Sequence, residues 1–288
     1  MDFYKYLLPF HKIIGRYPKF IYRLRYYHTF HRTLKLKHPV YFFDKLAWLS
    51  FNTDTSLWST CADKYAVREY VKSKYSERIL TKLYGVYERV EDINYDNLPD
   101  SFVMKTNNGC ASNVFVRNKK DADITQINKT MDFWLHYPYG ELTGQIHYTR
   151  IKPLIIAEEF LTNNEQPDKP LIDYKFYCFN GEPQFCMAMS DRIPNTHDPY
   201  VMMYDMEWNE HPEFYTPKAH VKGVDKPSKL SEMIEIAKAL SPGFRFLRLD
   251  LYEVNGQVKF GEMTFLPGGG RGMRVEKQIE LGNKIKTT

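Results

Sequence analysis

The sequence predicts a chain of amphipathic helices and antiparallel β-hairpins, an α+β protein. Asn180-Gly181 and Asn255-Gly256 each stand between two runs rich in aliphatic and aromatic residues, and Asn-Gly so flanked is a strong short-range hairpin signal. Residues 63–75 and 228–240 instead repeat their apolar positions at helical spacing. At 288 residues the chain is long enough to bury a sizeable core, as one large domain or two lobes.

Composition narrows the classes further. Aromatic residues make up 16%, which excludes a disordered chain. A net charge of +5 suits an anionic substrate or a membrane-surface neighbour and does not by itself indicate nucleic acid. Cys61, Cys110, Cys178 and Cys186 form no CxxC pair and no Cys/His cluster of zinc spacing, the pattern of reduced thiols in a cytoplasmic protein. No apolar run reaches membrane-spanning length, and the interrupted start MDFYKYLLPFHKIIG speaks against a secretory signal.

Residues 1 to 50 are basic and aromatic, with Lys5, Lys12, Arg16, Lys19, Arg23 and Arg25 set among Phe and Tyr, and Pro18 and Pro39 as helix boundaries. Two readings stay open: an amphipathic helix on an anionic membrane surface, or the helical flank of the main fold. Residues 63–75 (DKYAVREYVKSKY) predict a helix capped by Asp63 with Ala66, Val67, Tyr70 and Val71 as its stripe. After a turn at 96–99, residues 102–105 form a short strand ending in Lys105. A polar loop of small residues, 106–113, and a second strand, 114–116, follow. Such a device covers phosphates: loop amides and the Ser112 hydroxyl donate, and Lys105 supplies counter-charge. It is not a P-loop, because the GxxxxGK[ST] spacing is absent.

Residues 123–136 look helical and 138–150 form an aromatic, glycine-containing loop. Residues 153–161 (PLIIAEEFL) predict a buried strand with one edge paired. It closes in Glu158 and Glu159, its end offering backbone groups to a purine edge. In the hairpin at 171–189, Asp173, Lys175 and Tyr177 share one face. Residues 200–227 read as a long irregular loop packed by aromatics. Residues 228–240 form a helix with Leu230, Met233, Ile234, Ala237 and Leu240 on one stripe.

The chemistry concentrates in residues 244–270 (FRFLRLDLYEVNGQVKFGEMTFLPGGG). Leu247, Leu249 and Leu251 take one face and Arg248, Asp250 and Tyr252 the other. A two-residue turn at Asn255-Gly256 would pair Leu249 with Glu262 and set an acid among leucines. A three-residue loop, Val254-Asn255-Gly256 with Gly256 left-handed, pairs Arg248 with Glu262 and keeps the apolar face whole, so that register is expected. Asp250 and Glu262 then project side by side. Two such carboxylates repel unless a cation lies between them, and hard oxygens at this spacing suit Mg²⁺ shared with substrate phosphates. On that reading Asp250→Asn leaves the metal-free protein as stable or slightly more so. The alternative is a solvated hairpin face on which Arg248 balances Asp250.

The order of these pieces resembles the ATP-grasp superfamily, specifically its TupA-like group, named for teichuronopeptide biosynthesis in bacterial polysaccharide loci. The matching segments are ADKYAVREYV, LPDSFVMKTNNG, KPLIIAEEFL, DYKFYCFNGEPQF and the hairpin, spanning residues 35–282. The resemblance implies an ATP-grasp fold: a basic, aromatic helical region (1–60), then two α+β lobes (61–157 and 158–288) whose antiparallel sheets grip ATP. It implies that Lys105 meets the α/β-phosphates under a loop containing Asn107, Gly109 and Ser112. Glu158 and the backbone from Glu159 through Phe160 and Leu161 frame the adenine. Lys175, beside Asp173, reaches the γ-phosphate, Arg248 neutralises charge, and Asp250 and Glu262 hold Mg²⁺. Thr264 stands where many members have Asn, a weaker metal ligand, and Asn108 stands where many TupA-like sequences have His.

The activity so implied is ATP-dependent carboxylate–amine ligation through an acylphosphate, with Lys105, Lys175 and Arg248 in catalytic positions. The carboxylate or amine would belong to a uronic acid or amino acid substituent of a capsular or cell-wall glycan, linked to polymer, lipid or nucleotide sugar. Arg150, Trp208 and the stretch from Gly268 to Arg274 are the expected acceptor contacts. The competing reading is a glycosyltransferase or glycan-binding protein, for which the 16% aromatics could stack on sugars, but no DxD-like motif beside a Rossmann pattern supports it.

Overall fold

The computed structural model describes residues 7–192, 198–268 and 272–287. It divides into two compact units, one comprising Met1–Arg25, Asp54–Tyr70 and Thr81–Leu161, the other Tyr26–Thr53, Val71–Leu80 and Thr162–Thr288. Helices α1 (His11–Ile14), α2 (Pro18–Phe30) and α3 (Phe42–Asn52) precede the sheets. Helix α2 starts at Pro18, whose fixed φ suits a first turn.

The first unit contains α4 (Ser56–Ala62) and a four-stranded antiparallel sheet. Its strands are β1 (Leu83–Tyr87), β2 (Phe102–Thr106), β3 (Val114–Val116) and β4 (Ile155–Glu158), in the order β1-β4-β2-β3. Helix α5 (Val67–Lys74) runs from this unit into the second, and Asp63 accepts from Tyr65 N and Ala66 N just before it. Helix α6 (Ile124–Leu135), capped by Asp123, buries Ile127, Met131 and Leu135 in a core shared with Phe102, Met104 and Ile155. Strand β4 lies between β1 and β2, so both of its edges are paired, not the single edge expected; free backbone begins only beyond it. The expected loop at 138–150 holds a short helix, α7 (Tyr139–Thr143), and a 3-10 turn, Ile146–Arg150. Here His147 is buried with its ring edge-on to Trp58.

The second unit is built on a five-stranded antiparallel sheet of β5 (Asp173–Phe179), β6 (Glu182–Arg192), β7 (Pro199–Tyr204), β8 (Phe246–Val254) and β9 (Gln257–Thr264), ordered β7-β6-β5-β8-β9. Strand β7 corrects the reading of 200–227 as wholly irregular: its residues pair along the far half of β6. Helix α8 (Leu230–Leu240) buries Met233, Ile236, Ala237 and Leu240, with Ile234 only half-buried. Leu247, Leu249, Leu251 and Met263 are buried on one face of the sheet. Helix α9 (Val275–Asn283) packs on α3.

The β8–β9 hairpin departs from the expected three-residue loop. Val254 pairs with Gln257, so Asn255 and Gly256 form a two-residue turn with φ of 52° and 75°. The positive φ expected of Gly256 is present. A β-bulge then steps the register, so that Leu251 faces Phe260 while Asp250 faces Glu262. The extra residue is Gly261, where an added Cβ would lie 2.9 Å from both the Asp250 carbonyl oxygen and the Tyr252 ring. The bulge achieves what the longer loop was invoked for: it keeps Glu262 off the leucine face and beside Asp250.

Two outcomes follow from this packing. Gly261→Ala should cost about 1–3 kcal/mol in urea unfolding, because the new methyl meets backbone, whereas a change at the half-buried Lys259 should stay within about 0.5 kcal/mol. Burial, then Arg150 and Arg25, pull the His147 pKa down to about 3 from 6.5. The unfolded chain therefore binds the extra proton between those values, and stability present above pH 6.5 is lost as pH falls toward 3. His147→Asn should remove about 1–2 kcal/mol of the wild-type stability change between pH 6.5 and 5, read from denaturation curves of both proteins.

Candidate functional site

Each unit carries one charged cluster on its sheet. In the first unit Val103 pairs with Glu158 and Lys105 with Ile156, so Lys105 and Glu158 emerge diagonally on the same face. Lys105 Nζ lies 2.5 Å from Glu158 Oε2, and Arg68 Nη1 lies 3.5 Å from Oε1. Glu158 is buried, so this single carboxylate holds two cations in a poorly solvated place. Arg68 is anchored through Nη2 to the Thr81 carbonyl at 2.8 Å. Sequence reasoning missed it: on its helix Arg68 is one cation beside an apolar stripe, and only the fold brings it to Glu158.

Polar side chains of the loop between β2 and β3 are engaged with the protein. Asn107 Nδ2 donates to Asp63 Oδ1 at 2.9 Å and to the Lys152 carbonyl at 3.1 Å, while its Oδ1 accepts from Leu154 N at 2.7 Å. Ser112 Oγ is buried and accepts from Thr106 N and Oγ1. The Gly109 carbonyl accepts from Lys64, and an added Cβ there would sit 3.3 Å from the Tyr139 ring. Asn107 and Ser112 thus set the loop's shape, and its exposed part is Cys110, Ala111 and Asn113.

Beyond β4, Glu159 exchanges hydrogen bonds with Lys82, its N–H to the Lys82 carbonyl and its Oε2 from the Lys82 N–H. The Phe160 ring meets Phe115 and the Arg117 guanidinium. Among the described residues no hydrogen bond ends on the backbone of Phe160 or Leu161. These half-buried residues, just past the end of the strand, are the ones expected to offer backbone groups to a purine edge.

In the second unit the ladder aligns two rows across β5, β8 and β9. One row is Lys175, Asp250 and Glu262; the next is Tyr177, Arg248 and Thr264. Lys175 Nζ bonds both Asp173 Oδ2 and Asp250 Oδ2, the latter at 2.6 Å. Arg248 grips Asp250 with two donors, Nε to Oδ1 at 2.7 Å and Nη2 to Oδ2 at 2.6 Å. The same Nη2 reaches Glu262 Oε1 at 2.7 Å and Thr264 Oγ1 at 3.0 Å. Asp250 is 1% exposed, so the surface Arg–Asp pair is excluded.

Electrostatics follow from this burial. Burial pushes the Asp250 carboxyl up to about 6, with Arg248 and Lys175 pulling it back toward the charged form. Burial works against charge on Lys175 and Arg248 as well, but Asp250 and the other carboxylates hold both above their ordinary values. Asp173 and Glu262 still push the Asp250 carboxyl up, but Arg248, which lies between Asp250 and Glu262, and Lys175 act more strongly in the other direction. Asp250→Asn is therefore expected to leave two buried cations without their anion rather than to relieve repulsion.

The cluster also fits a metal by its donor chemistry. Asp250, Glu262 and Thr264 direct one oxygen each at a single point, the position of Arg248 Nη2, so the face already gathers hard oxygens around one positive centre. Two carboxylates and a hydroxyl are a Mg²⁺ donor set that substrate phosphates complete. The acceptor contacts expected elsewhere are otherwise engaged: Arg150 donates to Thr55 Oγ1, and Trp208 stacks on Tyr204 at 4.0 Å. Gly269, Gly270 and Arg271 lie outside the described residues.

The model of the TupA-like ATP-grasp family matches residues 44–286. No curated protein sequence matches the chain. Among solved structures, D-alanine–D-alanine ligase from Bacillus anthracis complexed with ATP aligns at 16% identity and a TM-score of 0.48, covering 78% of this chain and 65% of its own. D-cycloserine synthetase DcsG aligns at 12% and 0.46, covering 83% and 75%. The ATP-grasp ligase PsnB complexed with minimal precursor aligns at 11% and 0.43, covering 84% and 67%. The chain thus spans between 65% and 75% of the length of these structures.

Removing Asp250 leaves Lys175 and Arg248 buried without their shared anion. Asp250→Asn should destabilise the metal-free protein by about 3–5 kcal/mol in chemical denaturation. Glu262→Gln, on a side chain 38% exposed, should cost at most about 1 kcal/mol.

Proposed function

The chain belongs to the TupA-like ATP-grasp family, and from that premise we propose that it is an ATP-dependent carboxylate–amine ligase acting on a capsular or cell-wall glycan or its precursor. The observation that carries this reading is the second unit's cluster of buried Lys175, Arg248 and Asp250 with the half-buried Glu262 on one sheet face. Burying ions opposes folding unless each is paired, and such clusters mark sites that handle charge.

In the proposed reaction a substrate carboxylate oxygen attacks the γ-phosphorus of ATP and ADP departs. The resulting acylphosphate is attacked at its carbonyl carbon by an amine, which loses a proton. Inorganic phosphate leaves with the former carboxylate oxygen. Lys105 would bind the α/β-phosphates, exchanging its contact with Glu158 for them, and Arg68 would keep Glu158 in place. The Phe160 and Leu161 backbone would meet the adenine edge. Lys175 would bind the γ-phosphate, with Asp173 orienting its ammonium group. Arg248 would neutralise charge developing on the transferred phosphoryl group. Asp250 and Glu262 would hold Mg²⁺, with Thr264 as a weaker third ligand; when bound, the metal neutralises phosphate charge and polarises the phosphoryl group.

The acid or amine partner in this reading is borne by a uronic acid or amino acid substituent linked to polymer, lipid or nucleotide sugar. A lipid-linked acceptor adds peripheral contact with a membrane surface through the basic N-terminal region.

The test is ADP release from MgATP with candidate acid and amine pairs, with mass spectrometry of the product. An amide formed with stoichiometric ADP supports the ligase; turnover of a sugar nucleotide without ATP would contradict it. Lys105→Ala and Lys175→Ala should each lower ATP-dependent turnover by about a hundredfold, and chelation of Mg²⁺ should abolish it.

A further inference from the structure

The N-terminal region presents a row of apolar side chains that stay exposed among the described residues. Phe10, Ile13, Tyr17, Phe20, Leu24 and Tyr27 recur at alternating intervals of three and four residues. Phe20, Leu24 and Tyr27 share one face of α2, with Phe10, Ile13 and Tyr17 in and around the short helix before it. Each is between 46% and 62% exposed, whereas Ile21 and Tyr22, on the other side of α2, are buried. The region is fixed to the first unit: His11 Nδ1 pairs with Glu141 Oε2 at 2.6 Å. At Gly144, with φ of 68°, an added Cβ would lie 2.6 Å from the Pro18 carbonyl oxygen, so helix α2 approaches that backbone closely. The stripe is thus carried on a docked platform.

Charge identifies what fits it. From residue 3 to residue 43 the sequence contains no Asp or Glu. Lys12, Arg16, Lys19 and Arg23 are exposed beside the stripe. A row of aromatic and aliphatic side chains flanked on its own segment by cations, with Glu141 and Asp132 the acids near its start, complements a surface that is apolar beneath and anionic above, which describes the headgroup–acyl boundary of a bilayer with acidic lipids. A nucleic acid would use the cations and the aromatic rings but gains little from Ile13 and Leu24. Among the described residues no helix is long and apolar enough to cross a membrane, so the contact is with the surface.

We propose that the face formed by Phe10, Ile13, Tyr17, Phe20 and Leu24 with Lys12, Arg16 and Arg23 binds the surface of anionic phospholipid membranes. This deepens the membrane contact of the proposed function by naming its residues and lipid class, and it stands or falls separately from the ligase chemistry.

The experiment is co-sedimentation of the full chain with phosphatidylcholine vesicles, with and without an equal part of phosphatidylglycerol. The wild type should bind the anionic vesicles and not the neutral ones, more weakly as salt rises. The pair Phe20→Glu and Leu24→Glu should lose about tenfold or more in binding. The triple change Lys12→Gln, Arg16→Gln and Arg23→Gln should lose on the order of a hundredfold at low salt. Both variants should keep the wild-type melting shift with MgATP, which reports the fold and nucleotide site independently of lipid. Equal binding to neutral vesicles, no binding, or variants that bind like wild type would each overturn the proposal. A concentration-dependent dimer abolished by Phe20→Glu would assign the face to a second copy. Oligonucleotide binding insensitive to Phe20→Glu and Leu24→Glu, with no vesicle binding, would assign it to nucleic acid; either result rejects the lipid assignment.

Discussion

Asp250 lies inside the second sheet with Lys175 on one side and the Arg248 guanidinium on the other, and the geometry around it follows from balancing that charge. Each element of the β8–β9 hairpin serves the balance. The tight Asn255-Gly256 turn sets the register and the Gly261 bulge corrects it by one residue. That one residue brings Glu262 level with Asp250 and Thr264 level with Arg248. Without the bulge the same turn would set Glu262 opposite Leu249. Burial makes the arrangement strict, since a buried carboxylate left without its cations is far costlier than an exposed one.

The same geometry would prepare the Mg²⁺ site we propose. One guanidinium nitrogen gathers the Asp250, Glu262 and Thr264 oxygens, so these donors are oriented while their mutual repulsion is neutralised. Preorganised donors of this kind lower the reorganisation needed when phosphate charge arrives. In the first unit the logic is inverted: one buried acid, Glu158, holds Lys105 and Arg68, and an incoming phosphate would compete with it for them.

Much of this was legible in the sequence. The Asn-Gly pairs marked both hairpins of the second sheet. Period-two alternation put Asp250 and Glu262 on one face, a capping acid with a helical stripe located α5, and a helical stripe located α8. What stayed hidden has physical reasons. A glycine in a strand marks a bulge no more clearly than it marks an ordinary weak strand position, so nothing at Gly261 distinguishes its bulge from a three-residue loop that keeps the same faces together. Asn107 and Ser112 are small polar residues whether they bind phosphate or brace their own loop, and only their partners, Asp63, Leu154 and Thr106, separate the two. Arg68 reaches Glu158 across 90 positions of sequence, a distance at which periodicity carries no information. Strand β7 is an edge strand within a proline-rich stretch, where turn signals outweighed the alternation of its six residues.

The central claim is that this chain transfers the γ-phosphoryl group of ATP to a carboxylate before an amide bond forms. Isotope transfer measures that directly: the acid that supports ADP release is labelled with ¹⁸O in its carboxylate, turned over with MgATP and amine, and the phosphate analysed by mass spectrometry. The account predicts one ¹⁸O in the inorganic phosphate for each amide formed and none in ADP. Unlabelled phosphate, or label found in AMP, would contradict it.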